Sequence, residues 1–259
     1  MTTTPPPRRR LVGLSSKMYF SYDKTQNYTT DVLARLSTLP PELLARIDVF
    51  ILPDFVTVGA TAAQVRATGL PVWTGAQDCH WEDSGSFTGE VSPSVLRAAG
   101  ARIVAVGHAE RRRLFGEDDA VTAAKAAAAS RNGLVPLVCV GEKTRSDDTA
   151  AAVDECRPQV EAVARALADD AELVLAYEPV WAIGAAEPAG DAHILAVVAG
   201  LRALDCVRDR KGTTRVVYGG SAGPGLFERL KTGLDGLFLG RFAHDPDRFV
   251  QTVKEVAEA

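Results

Sequence analysis

The feature that most constrains this chain is an alternation that runs from one end to the other. Short runs rich in β-branched residues are each followed by a longer, Ala-rich stretch of helical character. Parallel strands can be joined only through a crossover, usually a helix, so this pattern predicts an α/β fold with helices covering a parallel sheet. Strand-like runs fall at 11–15, 47–51, 72–75, 103–106, 135–140, 174–178, 215–218 and 236–239. Helical patterns fall at 29–36, 60–67, 93–99, 121–132, 152–167, 192–207, 225–230 and 246–256. About eight of each is what a closed (β/α)8 barrel requires, and 259 residues suit one such barrel as a single domain.

An open, doubly wound sheet uses the same alternation. Two features favour the barrel. No Gly-rich dinucleotide fingerprint follows the first strand, where Gly13, Leu14, Ser15, Ser16 and Lys17 stand instead. Polar and reactive residues recur just after many different strands, as they do where a barrel collects its site from several strand ends.

Composition excludes several classes. The chain is 46% hydrophobic and 24% charged, ample for a large core, and its net charge of −4 with scattered basic residues argues against a nucleic-acid surface. Cys79, Cys139, Cys156 and Cys206 stand far apart with no CxxC pair, so neither a disulfide framework nor a metal site is expected, and reduced thiols in the cytoplasm are. No apolar run reaches transmembrane length. Residues 1–10, with Thr, Pro and three arginines, lack the apolar centre of a signal peptide and read as a disordered leader before a barrel spanning 11–259.

Two segments carry chemistry. At the sixth strand, Ala176-Tyr177-Glu178-Pro179 leads into an apolar loop ending at Gly184, which suggests a carboxylate base beneath a closing lid. After the fourth strand, Gly107-His108-Ala109-Glu110-Arg111-Arg112 sets a histidine at the mouth of a short helix. Unsatisfied backbone N–H groups there disfavour added positive charge, so His108 is expected to stay neutral and donate a hydrogen bond. Taken singly, Glu178 reads as a solvated carboxylate, His108 as a structural histidine and Lys17 as a surface lysine.

Together these segments resemble the triosephosphate isomerase family over nearly the whole chain beyond the leader. The matching runs are Lys17-Met18, Gly75-Ala76-Gln77, Phe87 to Ser92, Gly107-His108 with Glu110-Arg111-Arg112, Cys139-Val140-Gly141-Glu142, the Glu178 segment, and Tyr218-Gly219-Gly220-Ser221. The resemblance implies a TIM barrel acting through a cis-enediolate. As is known for this family, Glu178 would move the proton beside the carbonyl, His108 would polarise that carbonyl, and Lys17, paired with Glu110, would steady the charge. The phosphate would meet backbone N–H groups of Gly184, Ser221, Gly240 and Arg241, with Ser15 nearby and with Tyr218 and Ser221 latching a lid over residues 179–189. That lid would keep water from an enediol phosphate able to eliminate its phosphate. No cofactor or metal is implied, the partner is a small phosphorylated sugar, and a homodimer through loop 83–90 is expected. Arg111 and Arg112 are expected in salt bridges behind the site, and Cys139 as a packed residue.

Departures from the family pattern leave the substrate open. Ser15 stands where Asn is usual, Ser16 for a large aromatic, Ala109 for Ser and Asp78 for Asn. The lid lacks its common Thr-Gly-Lys portion, and Gly240-Arg241 replaces two glycines. Ser15 and Ala109 are smaller than the usual residues and would admit an extra hydroxymethyl group. A branch of the family that interconverts L-erythrulose 1-phosphate and D-erythrulose 4-phosphate is similar in its Gly-Arg. The readings, in order, are interconversion of dihydroxyacetone phosphate and D-glyceraldehyde 3-phosphate, the tetrulose phosphate reaction almost level with it, and a silent phosphate-binding barrel.

Overall fold

Alternate residues of a strand face opposite sides of a barrel wall, and two buried clusters record this. Leu11, Phe50, Leu52, Ile103, Ala105, Leu137, Val174 and Val217 belong to one; Val12, Leu14, Val49, Ile51, Val104, Val106, Val138 and Val216 belong to the other, which extends to the helices. The first fills the barrel and the second glues its outer surface, so the strands read as continuous apolar runs instead of alternating ones.

In the computed structural model, which describes residues 9–259, the strands are β1 (Arg10–Ser15), β2 (Ile47–Leu52), β3 (Val72–Ala76), β4 (Ala101–Val106), β5 (Val135–Val140), β6 (Leu173–Tyr177), β7 (Thr214–Tyr218) and β8 (Gly236–Leu239). They pair in parallel in sequence order and close as β1 meets β8. The helices are α1 (Tyr22–Leu36), α2 (Pro41–Leu44), α3 (Val58–Thr68), α4 (Pro93–Ala98), α5 (Ala109–Phe115), α6 (Asp119–Arg131), α7 (Thr149–Ala166), α8 (Asp191–Ala203), α9 (Asp205–Arg208), α10 (Leu226–Leu230) and α11 (Pro246–Glu258). The single-domain (β/α)8 barrel expected from the alternation is the fold observed. Among the described residues no helix is long and apolar enough to cross a membrane.

Packing explains the details. Gly13 faces the interior, where a Cβ would lie 2.2 Å from the Phe50 ring, so the small residue lets Phe50 reach Phe238, 5.7 Å away between centroids. On the outside, α11 begins with Pro246 after the Asp245 cap and buries Phe249, Val253 and Val256, each contributing about 2 kcal/mol.

Three boundaries differ from expectation. α1 starts at Tyr22, not near residue 29: Ser21 accepts the N–H of Lys24, and burial of Thr25, Tyr28 and Thr29 outweighs the weak propensity of that polar turn. The helical run 192–207 divides, because Leu204 is extended (φ −58°, ψ 130°) between α8 and α9. Residues 1–8 of the expected leader lie outside the described residues, whereas Arg10 opens β1 and Arg9 pairs with Asp48 at 2.9 Å.

Candidate active site

The carboxyl end of β1 delivers Lys17 in an unusual backbone state, with φ +46°, a left-handed conformation that disfavours a side chain by about 1 kcal/mol or more. Its neighbours hold it there. Ser15 Oγ accepts the Lys17 N–H at 3.2 Å, and the Gln77 amide donates to Lys17 O (3.0 Å), Leu52 O (3.1 Å) and Ser16 Oγ (3.3 Å). The ammonium then meets Glu110 Oε1 at 2.6 Å. The expected Lys17–Glu110 pair is present.

β4 and α5 position the imidazole. His108 caps α5, its Nδ1 accepting the Glu110 N–H at 3.1 Å. That bond uses the Nδ1 lone pair, so a neutral ring carries its proton on Nε2, which lies 3.6 Å from Glu178 Oε2. Burial, then the nearby Lys17 charge, pushes the imidazole down to about 4. The helix mouth thus holds a neutral donor, as the sequence suggested.

Glu178 follows β6 immediately and is 3% exposed, with Oε2 lacking any hydrogen-bond partner among the described residues. Burial pushes its carboxyl up to about 8, against the opposing pull of Lys17 and a hydrogen bond from the Cys139 thiol. A base with a pKa near neutrality combines availability with proton affinity. Gly219 makes room for it: a Cβ there would lie 2.4 Å from Glu178 Oε1 and 2.6 Å from its Cγ. Cys139 is buried and its thiol is pushed well up by burial and by Glu178, consistent with a packed residue.

The segment 179–189, the expected lid, is tied at both ends. Near its start, the buried Glu142 accepts from Trp181 Nε1 (2.9 Å) and Tyr177 OH (3.2 Å) and contacts His193 Nε2 (3.1 Å). Further along, Ser221 Oγ donates to Ala185 O at 2.6 Å, and Tyr218 OH accepts the Ala189 N–H at 3.0 Å. Arg241 Nη2 donates to Gly184 O at 3.4 Å. Gly184, Ser221, Gly240 and Arg241 line one cavity of about 950 Å³ together with Ser15, Lys17, His108, Ala109, Glu110 and Glu178. Tyr218, fully buried, lies behind this wall and reaches it through the lid.

Behind α5, Lys125 Nζ meets Asp78 at 2.7 Å and Glu117 at 2.6 Å, and Arg111 Nε meets the same two carboxylates at 2.6 Å each. Arg112 pairs with Asp119 at 2.6 Å. Both arginines therefore anchor the back of the site, and Asp78 is buried in this network at 5% exposure. Sequence reasoning gave no role to Gln77, Glu142, Gly219 or Lys125. The first three lie in the motif runs just past strand ends, where a signal existed; Lys125, inside an Ala-rich helix, offered none.

A family model described as triosephosphate isomerase matches residues 10–256. An L-erythrulose-1-phosphate isomerase of Pectobacterium atrosepticum is 46% identical over 245 residues, covering 93% of each chain. Another of that name, from Rhizobium etli, is 37% identical over 260 residues, covering 96% of this chain and 92% of that one. A triosephosphate isomerase of Mycobacteroides abscessus is 38% identical over 224 residues, covering 83% and 85% respectively. A closed barrel with this arrangement at its carboxyl mouth, matched along nearly its full length, makes the chain an isomerase belonging to the triosephosphate isomerase family.

Proposed function

We propose that this enzyme interconverts L-erythrulose 1-phosphate and D-erythrulose 4-phosphate. Glu178 removes the proton from the carbinol carbon beside the ketone, giving a cis-enediolate, and returns it to the former carbonyl carbon. The Nε2–H of His108 polarises the carbonyl oxygen and moves protons between the two oxygens, while Lys17 offsets the negative charge. The phosphate rests on the corner formed by Gly184, Ser221, Gly240 and Arg241.

The observation that carries the substrate reading is the wall beside the reacting pair, where Ser15 and Ala109 line the cavity and present small side chains. The extra hydroxymethyl group of a tetrulose fits where the family's larger residues would stand. The names of the two isomerases at 46% and 37% identity agree with this and reverse the order in which the sequence ranked the two substrates. The triose reaction uses the same base and donor and is the competing outcome.

The homodimer belongs to the same reading. Loop 83–90 exposes Phe87 (41%), and Met18 (94%) and Tyr19 (58%) stand beside Lys17, an apolar set suited to a second copy of the chain. A cytoplasmic setting is supported by the four unpaired cysteines. The deciding experiment is a side-by-side assay of the purified enzyme with tetrulose and triose phosphates. A kcat/KM higher for the tetrulose by about tenfold or more bears the reading out; a preference for the triose overturns it.

A further inference from the structure

The opposite mouth of the barrel, at the amino ends of the strands, holds a second cavity of about 1340 Å³. Among the described residues, eight arginines and two carboxylates line it, in a chain whose net charge is −4. We propose that this mouth binds a small polyanion carrying two or more phosphate groups.

Its floor is built, not incidental. Arg215 on β7 reaches Asp48 on β2 at 2.6 Å; these strands are not neighbours, so the contact crosses the barrel interior. Arg215 is 3% exposed and its Nε has no partner, as is true of Oγ1 of the buried Thr74 and Oγ1 of Thr214, which line the same cavity. Unpartnered buried polar atoms are uncommon, and three around one cavity mark a place where a ligand's oxygens complete the bonding.

The charge left over sets the ligand class. Asp48 and Glu172 are taken by Arg9 and Arg215. Arg66, Arg97, Arg102 and Arg210 make no ion pair with a carboxylate among the described residues. The guanidinium carbon of Arg102 lies 3.9 Å from the Trp73 ring centroid, a cation–π contact that restrains where its N–H groups can point. Planar forks suit phosphate oxygens, and several of them around a concavity suit a compact ligand with several negative charges. An extended nucleic acid would meet the acidic remainder of the surface. Four or five residues of strand, roughly 15 Å, separate this mouth from the catalytic one, so the two sites bind independently.

The test is calorimetric titration of the full chain with inorganic triphosphate at low ionic strength. Saturable binding at one site per chain is expected, weakened about tenfold or more in an Arg66→Ser, Arg102→Ser variant. Both side chains are exposed and lie outside the catalytic mouth, so isomerase activity should stay at the parent level and report correct folding. A Lys17→Ala variant should retain triphosphate affinity. Absence of saturable binding, undiminished binding in the double variant, or loss in Lys17→Ala would overturn the proposal. So would affinity for a single-stranded oligonucleotide that rises with its length, which would assign the mouth to nucleic acid.

Discussion

His108 Nε2 lies 3.6 Å from Glu178 Oε2, and the two groups face each other uncharged: burial lowers the imidazole to about 4 and raises the carboxyl to about 8. The contact is therefore not an ion pair. In the proposed mechanism it sets a hydrogen-bond donor and a base on either side of the place where a carbonyl and its neighbouring carbon would sit.

The pH dependence follows with a definite sign. Because kcat/KM reports the free enzyme, it should rise with pH until about 8, where Glu178 loses its proton, well above the usual carboxylate range. A pH–rate profile with its acid limb near 4 would contradict this. Stability runs the other way. A carboxyl whose folded pKa is raised from 4.5 to about 8 destabilises the fold increasingly across that interval, since the unfolded chain ionises first. Glu178→Gln should therefore melt higher than the parent at pH 8.5, by roughly 10 °C or more, with the difference vanishing near pH 4.5. The same variant should lose activity by about a thousandfold or more.

Gly219→Ala tests the space around the base. The added methyl carbon, 2.4 Å from Oε1, must displace the Glu178 side chain, so kcat should fall about a hundredfold while the fold persists. Circular dichroism with single-turnover kinetics checks both halves; retained turnover would show that the carboxylate has latitude in its position.

Tyr218→Phe removes the acceptor for the Ala189 N–H and leaves that donor, on a residue 3% exposed, unpaired at the end of the proposed lid. A penalty of about 1–3 kcal/mol should lower kcat about tenfold or more and let water in, so inorganic phosphate released per turnover should rise. Measuring phosphate beside product formation reads the effect. Ser221→Ala, which removes the 2.6 Å bond to Ala185 O, should act in the same direction.

Asp78→Asn restores the residue usual in the family, yet it should destabilise this chain. Asp78 and Glu117 balance Lys125 and Arg111 within one network, and Lys125 is almost fully buried. Removing one anion leaves a buried cation short of its partner, at about 3 kcal/mol. Urea denaturation provides the measurement, and unchanged stability would mean the network tolerates unbalanced charge.

By itself the sequence determined the barrel, because eight βα alternations with no dinucleotide fingerprint admit few other closed arrangements, and it marked Glu178, His108, Lys17 and Glu110 through motifs at strand ends. Those motifs are local in the chain, and local patterns survive without knowledge of contacts. Tertiary structure alone decided what depends on distant segments meeting. The strained Lys17 is held by Gln77 from β3's far end, Glu142 joins Tyr177 of β6 to His193 of α8, and Asp78 finds Lys125 across 47 positions. The arginine-lined mouth is the clearest case. Its cations are scattered through the sequence and look like ordinary surface charge until closure of the sheet brings the amino ends of the strands around one cavity.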